Sequence, residues 1–491
     1  MSTARPSPSL RRRAAGTLLP GFSGTTIPAW VLQAYDDGLA GLCLYGDNVA
    51  SPAQLRQLCA QLRAHAPHAL LAVDEEGGDV TRLHYPTGSD EPGNAVLGRL
   101  DDTALTRASA AAIGAELASC GINLNLAPVA DVNSAPDNPV IGVRSFGGDP
   151  ALVARHCAAW VAGLESTGVA SCTKHFPGHG DTTVDSHLGL PRVDATAQVL
   201  HRRELAPFNA IARACGAAIM TSHIIVEALD PHHPATFSPT ILQGVLRTRM
   251  GYQGTIITDA LDMAGASAEI GIPEAAVRAL EAGADLLCLG SGTTAGLYQA
   301  CLEAIVHAVE SERIPETRLD DAAQRCARLA RRFPATIPAP NATSRTCASA
   351  PDPMVEGLAD AFEIGAAATA WLALPVPAAI IQVDTEANMA VGHVPWGPAA
   401  AHATTAEPDI PQGAKVAVVA RGLQPGHPAH GVLQRLRDTG HSAILVECGW
   451  PRAAADIVTF GGSRAVGTAL AQLLHASPSA PAPAARKRVR P

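Results

Sequence analysis

An α/β chain built on a (β/α)8 barrel of the TIM type, followed by a smaller α/β sandwich domain, is what three features of this sequence predict. Between residues 15 and 333, short apolar runs alternate with helix-like stretches, the rhythm of parallel strands joined by crossover helices. Polar residues able to do chemistry cluster at the carboxyl ends of those runs, the face on which barrel enzymes build their sites. A segment rich in Pro, Ala, Ser and Thr, residues 334–352, then separates a second and shorter series of the same rhythm, 353–475.

Taken in order, the predicted strands of the first domain are 39–45, 70–74, 122–128, 170–175, 217–222, 255–259 and 285–289. Amphipathic or Ala-rich helices are predicted between them, including 52–66, 103–119 and 150–167. Seven visible strands over this length favour a barrel over an open doubly wound sheet. In the second domain the expected strands are 378–383, 415–420 and 442–446, with a helix over 463–474. Residues 476–491, rich in Pro, Ala and Ser and then basic, read as a disordered tail.

Composition narrows the function classes. With 47% hydrophobic and 16% charged residues the chain reads as a soluble protein with a large core. A net charge of −9, spread thinly, gives no nucleic-acid footprint. No run is long enough to span a membrane, and the residues after Arg13 lack the apolar stretch of an export signal, so the expected location is the cytoplasm. The cysteines, eleven in number and without a CxxC pair, sit in apolar runs such as Leu42-Cys43-Leu44 and read as reduced core residues.

The densest chemistry lies in residues 174–187, which hold Lys174, His175, His179, Asp181, Asp185 and His187. Pro177, Gly178 and Gly180 break any helix or central strand there, leaving a loop, the usual carrier of catalytic groups. Lys174 is one of three lysines in an arginine-rich chain, a hint of a task that a flat guanidinium does not perform. Asp185 and His187 are two apart, so the carboxylate can orient the imidazole and make His187 a proton shuttle. His175, His179, Asp181 and His187 are also able metal ligands, but no HxH or HExxH spacing supports a metal site, and none is expected.

Three further groups join this loop. Asp74, the first polar residue after its strand, heads the run Asp74-Glu-Glu-Gly-Gly78 and suits the acceptance of hydrogen bonds from vicinal hydroxyls; capping a following helix is the competing structural role. Arg144 follows Asp131 and offers a planar donor fork to an oxygen-rich ligand, or equally to a structural carboxylate. Asp259 ends a β-branched strand, placed to act as nucleophile, metal ligand or cap, whereas Asp262 should point elsewhere if a helix begins at once.

Together these loops resemble glycoside hydrolase family 3, more closely its β-N-acetylhexosaminidase branch, whose signature is similar to the KHFPGHG(x)4DSH run of residues 174–187. The likeness extends over residues 19–333 and, more weakly, to the family's C-terminal α/β domain through the turn Thr459-Phe-Gly-Gly462. It implies a retaining mechanism with Asp259 as nucleophile, His187 as acid/base and Asp185 as its orienting partner. It also implies that Asp74, Arg82, Arg144, Lys174 and His175 bind the sugar. Asp79 and Ala260 depart from common family choices without removing a catalytic group.

What the resemblance implies as substrate is a small glycoconjugate with a terminal β-linked N-acetylglucosamine, such as a cell-wall muropeptide fragment, with no cofactor. The 4% content of aromatic residues leaves few rings to stack a long row of sugars, so a short site is expected. A carboxylate base repels an anionic acceptor by about 1–4 kcal/mol at about 4 Å, and neutral imidazole does not, so phosphate stays open as acceptor beside water. The competing readings are a phosphorylase or β-glucosidase on the same site, a metal-dependent hydrolase, and a non-catalytic sugar-binding protein.

Overall fold

The computed structural model of the chain describes residues 8–184, 189–214, 216–335, 355, 357–384, 388–398, 410–411 and 413–476. Within them, eight short parallel strands curl around one axis: β1 (Leu18–Pro20), β2 (Gly41–Leu44), β3 (Leu70–Val73), β4 (Leu124–Asn125), β5 (Ala170–Phe176), β6 (Ala218–Thr221), β7 (Thr255–Ile257) and β8 (Leu287–Gly290). Strands β2 to β7 form one parallel sheet in chain order, and β1 pairs with β8. A parallel bridge between Ile257 and Leu286 joins the two ladders. On the other side Ala40 N–H reaches Ala15 O at 3.2 Å, beside the gap between β1 and β2.

The continuous apolar runs follow from burial on both faces of this wall. Alternate residues such as Leu42, Leu44, Leu71, Val73, Ile219, Ile256 and Leu289 face the surrounding helices. Their neighbours Leu19, Cys43, Ala72, Leu124, Cys172, Met220, Ile257 and Cys288 fill the interior. Small thiols and alanines recur inside because eight strands leave little width for larger side chains. All nine described cysteines are buried and free.

Three differences from the sequence expectation have physical causes. Strand β1 was not anticipated, because three apolar residues ending in Pro20 give too short a pattern to stand out. The strand expected over 122–128 shrinks to Leu124–Asn125, since Pro128 has no N–H for the ladder. It still follows β5 through its carbonyls, with Cys172 N–H donating to Ala127 O at 3.0 Å and Lys174 N–H to Pro128 O at 3.0 Å. Strand β7 stops at Ile257, so Asp259 stands two residues beyond it, on a loop.

The helices match more closely: Pro52–His65, Thr103–Ser119 and Pro150–Glu165 are present, capped by the side chains of Ser51, Asp102 and Asp149. At the amino end of the barrel, buried Asp285 ties Arg247 at 2.6 Å and Arg318 at 2.8 Å. That end holds the structure together and leaves the opposite end for function.

The second unit is a five-stranded sheet: β9 (Glu363–Ile364), β10 (Ala378–Gln382), β11 (Lys415–Ala420), β12 (Ala443–Glu447) and β13 (Ile457–Val458). Its spatial order is β9-β13-β12-β11-β10, parallel except for β9. Helix Pro428–Asp438 covers one face, while Ala366–Leu372 and Arg464–His475 cover the other. Ala95 and Val96, from the barrel helix Asn94–Leu100, belong to that second apolar cluster. The two units thus share a core.

Polar contacts reinforce the junction. Asp79 accepts from Gly462 N–H at 2.8 Å, and Arg99 donates to Ala361 O at 2.7 Å while lying over the Phe460 ring. The turn Thr459-Phe-Gly-Gly462, noted in the sequence for its family likeness, is therefore a docking element. A hollow of about 430 Å³ at the amino ends of β10 to β12 offers no comparable chemistry, because its Lys415 already donates to the carbonyls of Trp371, Leu372 and Leu374. No helix among the described residues is long and apolar enough to cross a membrane. The predicted linker and tail lie almost wholly outside the described residues.

Candidate active site

At the carboxyl ends of the barrel strands a cavity of about 260 Å³ is lined by Asp74, Glu76, Arg82, Arg144, Lys174, His175 and Asp259, among others. It falls just below the roughly 300–1,000 Å³ of pockets that take drug-sized ligands, and so suits one small polar molecule.

Its floor is a chain of charges, buried except for the half-buried Asp74. Lys174 Nζ, at the end of β5, donates to Asp74 Oδ1 at 2.6 Å and lies 2.8 Å from Glu76 Oε1. Arg144 meets Glu76 with both prongs, Nε to Oε2 at 2.9 Å and Nη2 to Oε1 at 2.7 Å. Burial opposes the charges of Glu76, Arg144 and Lys174, but their neighbours outweigh it. Arg144 and Lys174 hold the Glu76 carboxyl far below the carboxylate range, and Asp74 and Glu76 hold the Lys174 ammonium above its ordinary value. An ammonium has three donors, so two carboxylate contacts leave Lys174 one for a ligand.

In the sequence Asp74 stands out as the first polar residue after its strand, and Glu76 does not. A signal was available, because in extended chain residues i and i+2 share a side. Glu75 points the other way, accepting from Thr81 Oγ1 at 2.9 Å and from the backbone N–H groups of Arg82 and Leu83 at 2.8 Å each. It shapes the turn carrying Arg82, whose guanidinium donates to Ala390 O of the second unit at 2.8 Å. The capping role weighed for Asp74 does not apply: the residues after it form a Gly77–Val80 bridge and not a helix.

His175 is held from two sides. Its Nδ1 lies 2.6 Å from Asp131 Oδ2, and its Nε2 lies 3.4 Å from Arg144 Nη2. Since the guanidinium only donates, Nε2 accepts and Nδ1 carries the proton toward Asp131. Asp131 is fully buried and also accepts from the backbone of His175 and His179. An imidazole so engaged is a fixed contact that lines the cavity.

Changing Asp131 to Asn should therefore cost about 1–3 kcal/mol of stability by urea denaturation and loosen His175, raising KM several-fold. Wild-type KM with an unaltered unfolding midpoint would contradict this role.

Of the remaining loop groups, His179 lines the cavity, and burial lowers its imidazole to about 4, which keeps it neutral. Asp181 turns to Ser134 and Arg203. Among the described residues no group of three or more His, Cys, Asp or Glu is arranged to hold a metal ion. Asp185 and His187, the predicted dyad, lie outside the described residues.

Asp259 reaches the cavity from the loop after β7, with its Oδ1 accepting from Ala260 N–H at 2.8 Å. His223, at the end of β6, supports that loop through Nε2 to Ala260 O at 3.1 Å. The condition set for Asp262 is not met: the next helix starts only at Ala264, and Asp262 lines the same cavity and accepts from Ser291 N–H at 3.2 Å. Met389 and Ala390 of the second unit complete the lining, a contribution that no sequence pattern had signalled.

Comparison with known proteins places relatives beside this geometry. The model of the Glycosyl hydrolase family 3 N terminal domain matches residues 27–329. The beta-hexosaminidase A of Pseudoalteromonas piscicida is 37% identical over 339 residues, which take in 63% of this chain and 56% of that protein. The chain thus spans little more than half the length of that relative. A glycoside hydrolase family 3 beta-N-acetylglucosaminidase from Paenibacillus sp. str. FPU-7 superposes with a TM-score of 0.78 and 29% identity, over 95% of this chain and 96% of its own. NagZ from Neisseria gonorrhoeae, solved in complex with N-trifluoroacetyl-D-glucosamine, superposes with a TM-score of 0.52 and 31% identity, over 64% of this chain and 98% of its own.

Proposed function

Because this chain belongs to glycosyl hydrolase family 3, we propose that it is a retaining exo-β-N-acetylglucosaminidase that releases one terminal sugar at a time. The observation that carries this reading is one small cavity lined by the carboxylate of Asp259 together with Asp74, Arg82, Arg144, Lys174 and His175, groups suited to binding a sugar. The relatives named for β-hexosaminidase and β-N-acetylglucosaminidase activity favour the acetamido sugar.

In the first step Asp259 attacks the anomeric carbon, the bond to the leaving oxygen breaks, and His187 gives that oxygen its proton. Asp185 orients the imidazole and stabilises its cationic form. In the second step His187 takes a proton from water, the resulting hydroxide adds to the same carbon, and the ester to Asp259 breaks. Two displacements restore the β configuration.

The charged floor does its work before chemistry begins. Lys174, Asp74, Glu76 and Arg144 hold one another in place, so their remaining donors and acceptors meet the sugar hydroxyls without reorganising. A cavity closed at that end admits a terminal residue and not the middle of a chain.

An aryl β-N-acetylglucosaminide and the matching glucoside, each incubated with purified protein with and without phosphate, test the proposal. Release of free N-acetylglucosamine, unaffected by phosphate or chelator and faster than glucoside cleavage, is expected. N-acetylglucosamine 1-phosphate as the main product would make the enzyme a phosphorylase. Absence of turnover on every sugar would overturn the assignment.

A further inference from the structure

We propose that Met389, on the outer wall that the second unit adds to the cavity, is a specificity-determining residue packing against the aglycone. The inference rests on the glycosidase reading for the identity of the ligand. Its structural basis is a turn of the second unit fastened onto the barrel. Gly392 N–H donates to Asn388 O at 3.0 Å, and Val391 N–H donates to Asn388 Oδ1 at 3.0 Å, so the turn closes on itself.

Three contacts seat the turn on the barrel. Asn388 Nδ2 donates to Pro139 O at 3.2 Å, His393 N–H donates to Tyr85 Oη at 3.1 Å, and Arg82 donates to Ala390 O at 2.8 Å. Val391 and Val394 pack with Val80 and Tyr85 beneath. The last hydrogen bond has a second consequence: the second unit aims a cationic side chain that lines the cavity.

Met389 lines that cavity while 65% exposed, the most exposed large apolar side chain among the described residues. It therefore stands at the mouth, whereas Lys174, Glu76 and Arg144 lie buried at the floor. A sugar held by its hydroxyls at the floor directs its aglycone outward, past Met389. An unbranched thioether offers nothing to a charge and adapts to the shape of an apolar surface. The chemistry it fits is the C–H face of a second pyranose ring, or an alkyl or aryl group in that position.

Met389→Ala and Met389→Leu in the full chain test this with two probes. N-acetylglucosamine, as competitive inhibitor, fills the floor alone, and N,N′-diacetylchitobiose, as substrate, also reaches the mouth. Met389→Ala is expected to raise the disaccharide KM about five- to ten-fold while the monosaccharide Ki moves less than about two-fold, and Met389→Leu to restore most of the loss. Equal shifts for both probes, or none, would overturn the proposal. Should the wild type turn over no β-N-acetylglucosaminide, the glycosidase reading itself has failed. Calorimetric titration with the two sugars then decides the wall separately, with selective loss of disaccharide affinity in Met389→Ala supporting it and unchanged or parallel affinities refuting it.

Discussion

Asp259→Asn is expected to lower kcat on an aryl N-acetylglucosaminide by roughly four to six orders of magnitude, about 5–8 kcal/mol of barrier, with the fold intact. The carboxylate and the amide are nearly isosteric, and the carbonyl oxygen of the amide can keep the hydrogen bond from Ala260 N–H. The supporting contact from His223 to Ala260 O does not involve the substituted atoms. What disappears is the anionic nucleophile, since a neutral amide attacks an anomeric carbon poorly.

The measurement pairs steady-state rates with mass spectrometry of the quenched protein, in which the covalent sugar adduct of the wild type should be missing. In Asp259→Gly, where the side chain is removed, adding azide should restore turnover and give the α-glycosyl azide, because a small anion can attack from the side that the carboxylate vacates. Turnover of the variant near the wild-type rate would remove Asp259 from the mechanism.

The second large effect belongs to Glu76. Replacing it with Gln leaves Arg144 and Lys174 buried with one carboxylate fewer between them, and breaking a buried pair in this way costs about 3–5 kcal/mol. A lower urea midpoint and a raised KM are expected together, since the same cations face the cavity. The pH dependence has a definite sign. Glu76 titrates near its ordinary value of 4.5 in the unfolded chain and well below it when folded, so below 4.5 the unfolded chain binds more protons. Its contribution is fully present above that pH and is lost as the pH falls further. The stability of the wild type should therefore decline more steeply with acid than that of Glu76→Gln. Parallel declines would show that Glu76 is not the ionised partner of this cluster.

Much of this arrangement was legible in the linear chain. Asp74, Lys174, His175 and Asp259 were picked out because each follows an apolar run at the carboxyl end of a strand, and a parallel barrel brings all such ends to one face. Arg144 is open in the sequence between ligand and structural partner; in the fold its guanidinium grips Glu76 and also lines the cavity. Glu76 itself was missed although extended-chain alternation would have found it. The direction of Asp262 depends on where the next helix starts, and the sequence leaves that start open.

Local pattern and composition determined the alternation of strands and helices, the face on which the chemistry gathers, and the candidates themselves, because these depend on neighbours a few residues apart. Which carboxylate neutralises which cation, the tautomer of His175, and the seating of Ala390 and Met389 beside Arg82 were decided by tertiary structure alone. Those contacts join groups far apart in sequence, 308 positions in the case of Arg82 and Ala390. Hydrogen bonds and desolvation act over a few ångströms of space, so until packing brings such groups together no interaction exists for the sequence to record.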